Sequence, residues 1–169
     1  RLVDLHLAGK RAVVLAASGG LGKAVALQLS REGTAVALCS RDLARAEAAA
    51  AEIVQATGGV VHPFAADVAD EASLSAFIES AAAALGGVDL LVCNAGGPPP
   101  GGFKDLGEQA WRTGYELTLM SVVRSVNLVL PHMKGAGGGS ILVLGSSSVK
   151  QPLPNLLISN VFRPGLQAL

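Results

Sequence analysis

Apolar positions along the chain fall into two alternating kinds of segment. Short, nearly continuous runs of Val, Leu and Ala occupy positions 11–16, 34–39, 60–65, 88–93 and 140–144. Runs of that length without polar alternation have the pattern of strands covered on both faces. Longer stretches with helical spacing lie between them. Leu21, Val25 and Leu29 mark a helix over 20–31 that Gly33 ends. Positions 41–57 are rich in Ala, Glu and Arg and are closed by Gly58-Gly59. Asp70 suits an N-cap, and Leu74, Phe77, Ile78, Ala81 and Leu85 form the apolar stripe of the helix it opens, which Gly86-Gly87 stops. A long helix over 108–134 carries Tyr115, Thr118, Val122, Val126, Val129 and Met133 on one face, with Pro131 expected to kink its end. Tyr115 reads first as a packed core aromatic. Beyond Pro154 the pattern is helical again. This alternation predicts an α/β fold: one domain over 1–169, with a doubly wound parallel sheet in three α/β/α layers. Ligands of such sheets sit outside the carboxyl ends of the strands, so the residues just after each strand carry the functional reading.

Half of the 169 residues are apolar and 15% are charged, which excludes a disordered chain. Thirteen Lys and Arg balance thirteen Asp and Glu. With no net field and no basic run, neither nucleic acid nor an anionic membrane surface is an expected partner. No apolar run reaches membrane-spanning length, positions 1–6 lack the apolar core of a signal peptide, and the cytoplasm is the expected compartment. Cys39 and Cys93 end apolar runs and read as buried, reduced thiols. His6, His62 and His132 show no metal-ligand spacing, and no metal is expected.

The first strand runs into Ala17-Ser18-Gly19-Gly20-Leu21-Gly22. Glycines at a strand-to-helix turn let the backbone approach a pyrophosphate, while the helix start offers free N–H groups. The segment Leu15-Ala16-Ala17-Ser18-Gly19-Gly20-Leu21-Gly22 resembles the short-chain dehydrogenase/reductase fingerprint Thr-Gly-x-x-x-Gly-x-Gly, with Leu15 and Ala16 in place of its first two residues. Further resemblances follow in chain order. Asp67-Val68 is similar to the family's Asp-Val contact to the adenine ring, and Cys93-Asn94-Ala95-Gly96 is similar to its Asn-Asn-Ala-Gly motif. Trp111 opens the long helix as in the family, and Ser146 stands where the family places its catalytic serine. The resemblance covers nearly the whole chain and implies a Rossmann-type domain that binds NAD(P). It implies cofactor contacts from Ala17, Ser18, Gly20, Leu21, Asp67, Val68, Asn94, Ala95 and Gly96.

An acidic residue at the end of the second strand would favour NAD. Here Cys39-Ser40-Arg41 stands there. Ser40 can donate to a phosphate and Arg41 can pair with one, which predicts NADP(H) over NAD(H).

The family reduces carbonyls with a Ser, Tyr and Lys, helped by an Asn on the long helix. At the family's separation from Ser146, the Tyr position holds Ser159 and the Lys position holds Arg163; the Asn position holds Thr118. Ser159 and Arg163 still share one helical face. A serine hydroxyl is a far weaker acid than a phenol, and Arg163 would act through its fixed charge rather than by giving up a proton. Three readings follow: a constellation of Ser146, Ser159 and Arg163 that still turns over a carbonyl or alcohol, a protein that binds cofactor without turnover, or an acid from elsewhere such as Tyr115. Asn160 is a further polar group on the same segment. The loop Gly97-Pro98-Pro99-Pro100-Gly101 would either wall the substrate cleft or serve as a rigid connector. Within the family the chain resembles 3-oxoacyl-[acyl-carrier-protein] reductase-like members, and a 3-oxoacyl thioester or a sugar-like polyol are substrates that family analogy implies. Association into a dimer or tetramer is also implied. Five predicted strands, where doubly wound sheets commonly hold six or more, suggest that the family's later strands and substrate-covering segment are missing from this chain.

Overall fold

The computed structural model describes residues 4–169. Five parallel strands, β1 (Arg11–Val14), β2 (Ala35–Ser40), β3 (Val61–Ala65), β4 (Leu90–Cys93) and β5 (Ser140–Val143), form one sheet in the order β3-β2-β1-β4-β5. The helices are α1 (Gly20–Arg31), α2 (Leu43–Thr57), α3 (Glu71–Leu85), α4 (Glu108–Tyr115), α5 (Ser121–Gly135) and α6 (Leu157–Ala168).

The central strands β1, β2 and β4 are mostly apolar because both of their faces are covered. Val13, Leu15, Ala37, Cys39 and Leu91 point to one side, where Leu74, Phe77 and Ile78 of α3 and Val122, Val129 and Met133 of α5 meet them. Ala12, Val14, Val36, Leu38 and Val92 point to the other, against Ala26 of α1 and Ala46 and Ile53 of α2. Leu38, Ile53 and Leu74 are fully buried, and each contributes about 1.5–3 kcal/mol of apolar transfer energy.

Helix ends follow the local chemistry. The Asp70 carboxylate caps α3 by accepting the Ser73 N–H at 2.7 Å, and Asp42 caps α2 by accepting that of Arg45. Gly86 closes α3 at φ 72, a conformation open to glycine without steric cost.

Three details differ from the sequence pattern. Along α1 the buried line is Gly22, Ala26 and Ser30, while Leu21 is 71% exposed. Small residues face inward because the helix lies close against the sheet, and the turn swings Leu21 outward. The long helix is interrupted by a π-helical turn, Glu116–Met120, which separates α4 from α5. Within that turn Thr118 is buried, but Tyr115 just before it is 39% exposed and packs on Phe162 of α6 rather than in the core. Finally, α6 runs through Pro164.

β5 is an edge strand, with Leu142 half-exposed. The Pro-rich loop after β4 is stitched to the segment preceding α6: Gly101 N–H donates to Asn155 O at 2.8 Å, and Leu157 N–H donates to Gly101 O at 3.3 Å. Ile158 at the start of α6 lies so close to Gly114 that a methyl there would collide with it, and Pro98 sits on the same spot.

Candidate functional site

The strand order reverses between β1 and β4, so their carboxyl ends open a crevice. Asn94 bridges it: its side-chain amide donates to Leu15 O at 3.2 Å and Ala16 O at 3.0 Å. This pins the turn that leads into α1. Ala16 holds the left-handed φ of 47, and its N–H points at Cys39 Sγ, 3.4 Å away. A residue with a Cβ pays about 1 kcal/mol for that conformation, which the clamp from Asn94 offsets. Gly22 is required by contact: a Cβ there would lie 2.6 Å from Asn94 Nδ2 and 2.9 Å from Ala16 O.

Past the turn, α1 starts without a side-chain cap and with no acidic residue in its first turn. Gly19 and Gly20 face open space. The free N–H groups of this first turn, the positive end of the helix dipole and the exposed Leu21 therefore front the crevice together, which fits a pyrophosphate-bearing nucleotide. Ala17 is buried beneath the turn, and its N–H donates to Cys39 O at 2.8 Å.

At the end of β2, Ser40 Oγ accepts the Ser18 hydroxyl at 3.1 Å and the Asp42 N–H at 3.4 Å. A hydroxyl has one proton and two acceptor sites, so the proton of this buried Ser40 hydroxyl remains for a further acceptor. Arg41 beside it is exposed, with no ion-pair partner among the described residues. After β3, the Asp67 carboxylate accepts the Ala69 N–H at 3.0 Å and its own N–H donates to Ser73 Oγ, which holds the loop; Val68 is buried. Ala95 is partly buried and Gly96 exposed at the same mouth.

On the other flank, Ser146 and Arg163 line a cavity of about 330 Å³ together with Ser147, Lys150 and Gln167. Ser159 is buried and does not line it. Arg163 is half-buried; its Nη1 donates to Leu144 O at 3.1 Å, and no carboxylate pairs with it among the described residues. Burial lowers its pKa. Asn160 is consumed locally, bonded through its side chain to both N–H and C=O of Leu153. Thr118 Oγ1 is buried without a hydrogen-bond partner among the described residues and borders a void of about 10 Å³ shared with Asn94 and Arg163. Trp111 and Tyr115 both pack on Phe162, which ties α4 to the residue beside Arg163.

Cys39 and Cys93 are buried free thiols, and burial pushes both up to about 12. Among the described residues no cluster of His, Cys, Asp or Glu could hold a metal ion, and no helix is long and apolar enough to cross a membrane.

Two features were not anticipated from sequence. One is the acceptor role of Cys39 toward Ala16. The other is Ser148, which bonds both Ser146 and Ser159; the run Ser146-Ser147-Ser148 was its available signal.

Comparison with known proteins agrees with this geometry. 7α-Hydroxysteroid dehydrogenase of Escherichia coli is 35% identical over 153 residues, spanning 90% of this chain and 59% of that enzyme. The chain thus covers less than two thirds of this relative's length. The L-sorbose reductase of Gluconobacter frateurii, solved with NADPH and L-sorbose, superposes with a TM-score of 0.94 at 32% identity, over 98% of this chain and 63% of that one. A 7α-hydroxysteroid dehydrogenase complex with NADH gives 0.92 at 32% identity, covering 98% and 64%. An NADPH-bound short-chain oxidoreductase of Pseudomonas aeruginosa PAO1, described as containing an atypical catalytic center, gives 0.89 at 31% identity, covering 94% and 62%. Residues 10–158 match the family described as short chain dehydrogenase. The chain belongs to that short-chain dehydrogenase family.

Proposed function

We propose that the protein is a cytoplasmic NAD(P)H-dependent oxidoreductase that prefers NADP(H) and interconverts a carbonyl and an alcohol on a small-molecule substrate. The observation that carries this reading is the juxtaposition of two half-sites. The open, uncapped start of α1 is pinned by Asn94, and Ser146 and Arg163 share one cavity at the carboxyl end of the sheet.

When bound, the nicotinamide group supplies or accepts the hydride. The proton that turns the developing alkoxide into an alcohol comes from solvent water, and the chain's own residues bind, orient and stabilise. The first-turn N–H groups of α1, flanked by Ser18, Gly20 and Leu21, hold the pyrophosphate; Asp67, Val68, Ala95 and Gly96 line the path of the adenosine. The free proton of Ser40 and the unpaired Arg41 take the 2′-phosphate that distinguishes NADP. Ser146 donates a hydrogen bond to the substrate oxygen where negative charge develops. Arg163 stabilises that charge electrostatically from the same cavity, and Ser159 supports the site from its buried position. Relatives acting on oxo-steroids and ketoses, together with the resemblance to 3-oxoacyl thioester reductases, define the substrate panel. Association into a dimer or tetramer forms part of the proposal.

A second reading, a dinucleotide-binding protein without turnover, is favoured by the replacement of a phenol with the buried Ser159 hydroxyl. Full-length protein incubated with NADPH and oxo-steroids, ketoses and 3-oxoacyl thioesters separates the two. Substrate-dependent NADPH oxidation is the expected result. Tight NADPH binding with no oxidation across the panel would establish the second reading, and tighter binding of NADH than NADPH would overturn the cofactor preference.

A further inference from the structure

Three serine hydroxyls at the carboxyl end of β5 form a chain. Ser146 Oγ accepts the Ser148 N–H at 3.2 Å and the Ser148 hydroxyl at 3.0 Å. Ser148 Oγ lies 3.3 Å from Ser159 Oγ. Ser148 and Ser159 are buried, whereas Ser146 lines the cavity beside Arg163.

Counting protons gives this chain a direction. Each hydroxyl has a single proton and two acceptor sites. The proton of Ser148 is committed to Ser146, so Ser148 can only accept from Ser159. The bonds therefore run from Ser159 to Ser148 to Ser146. Both acceptor sites of Ser146 are filled from within the protein, so its own proton is left to point away from Ser148, into the cavity.

We propose that Ser148 is a positioning residue that fixes Ser146 as an outward-facing hydrogen-bond donor, with Ser159 as the inner end of the chain. The inference rests on the reductase reading above and deepens it. It divides the roles of the two hydroxyls: Ser146 meets the substrate oxygen, and Ser159 acts only through Ser148. Hydrogen bonds aligned head to tail in a dry environment polarise one another, which strengthens the terminal donor. The role is donation and not transfer. No proton leaves the three serines, and no buried alkoxide has to form. A carbonyl oxygen, which brings lone pairs and no proton, is the group this site is built to meet. A hydroxyl in the same place would have to turn its own proton elsewhere.

Two measurements on the full-length protein test the inference. In the NMR spectrum of the ligand-free protein, the hydroxyl protons of Ser148 and Ser159 exchange slowly with water and that of Ser146 exchanges fast. In Ser148→Ala the Ser159 hydroxyl proton loses its protection. A slowly exchanging Ser146 proton would reverse the direction of the chain and overturn the inference even if no substrate is ever found. With the panel carbonyl that best oxidises NADPH, Ser148→Ala lowers kcat about tenfold, the worth of one well-placed neutral hydrogen bond. KM and the NADPH Kd stay within twofold, and Ser148→Thr restores most of the lost rate. Unchanged kcat in Ser148→Ala would overturn the positioning role. Absence of turnover in the wild type defeats the reductase reading alone, because the exchange experiment still decides the direction.

Discussion

Replacing Gly22 by Ala adds one methyl at the most crowded point of the nucleotide turn. The new Cβ would sit 2.6 Å from Asn94 Nδ2, 2.9 Å from Ala16 O and 3.0 Å from Ala17 Cα. Only the Asn94 amide can yield, since the other two atoms are backbone. If it yields, its bonds to Leu15 O and Ala16 O are lost, at about 0.5–1.5 kcal/mol each. Residual overpacking adds about 1–3 kcal/mol, while the better helix propensity of Ala returns about 1 kcal/mol. The net cost is about 1–5 kcal/mol, which for a chain of this size lowers Tm by roughly 2–20 °C. NADPH affinity, read by fluorescence titration, falls at least about tenfold, because the free N–H groups at the start of α1 move with the turn. A thermal melt of the double variant with Asn94→Ala tests the mechanism. If the methyl acts by displacing the amide, the double variant is less destabilised than the sum of the single variants by about 1 kcal/mol or more. Wild-type Tm and affinity in Gly22→Ala would refute the reasoning outright, and strict additivity would place the collision elsewhere.

Arg41→Ala raises the Kd for NADPH about tenfold through loss of a charge-assisted contact and leaves NADH within twofold; calorimetric titration of both cofactors checks this. Ser146→Ala lowers kcat about a hundredfold, the scale of losing one donor to a developing oxyanion, with cofactor binding retained; steady-state kinetics that show full activity would remove Ser146 from the site. Arg11 grips Asp89 with Nε and Nη2, both at 2.8 Å, and holds its carboxyl below the ordinary value of 3.8. Asp89→Asn therefore costs about 1–2 kcal/mol at neutral pH. Because the folded pKa is depressed, that difference persists above the unfolded value and closes as pH falls below 3.8 toward the depressed one, which denaturant melts across pH would show. Burial pushes the Cys39 and Cys93 thiols up to about 12, so the unfolded chain ionises first and stability declines as pH rises from about 9 toward 12. A disulfide-exchange reagent at pH 8 labels neither thiol in the native protein and both in denaturant, as read by peptide mass spectrometry; rapid native labelling would contradict their burial.

The order of strands and helices was legible because buried parallel strands and capped helices leave strong local marks. The runs ending at Cys39 and Cys93, and the caps at Asp70 and Gly86, all reflect chemistry within a few residues. What escaped depends on contacts distant in sequence. The inward face of α1 follows Gly22, Ala26 and Ser30 because closeness to the sheet outweighs hydrophobicity there. The π-helical turn Glu116–Met120 leaves no mark in apolar spacing, since the extra residue only shifts the register of a helix that continues on either side. Tyr115 shares the apolar phase of its neighbours, but its partner is Phe162 on another helix, and that pairing draws it toward the surface. In the site, the place of Asn94 beside the glycine turn was legible from motif position. The direction of the serine chain was not, because it depends on how Ser148 bridges Ser146, two positions away, and Ser159, eleven positions away on another helix.

The bond between Gly101 and the start of α6 has a consequence for how such a cleft can diversify. Gly101 is fastened to the residues that open the helix bearing Ser159 and Arg163, so an insertion beside it would shift the start of that helix. A few residues later the same loop reaches Phe103, which is 83% exposed. Mutations there act on an exposed side chain and leave the fastening alone. A chain built this way can vary its loop tip while Ser159 and Arg163 stay in register.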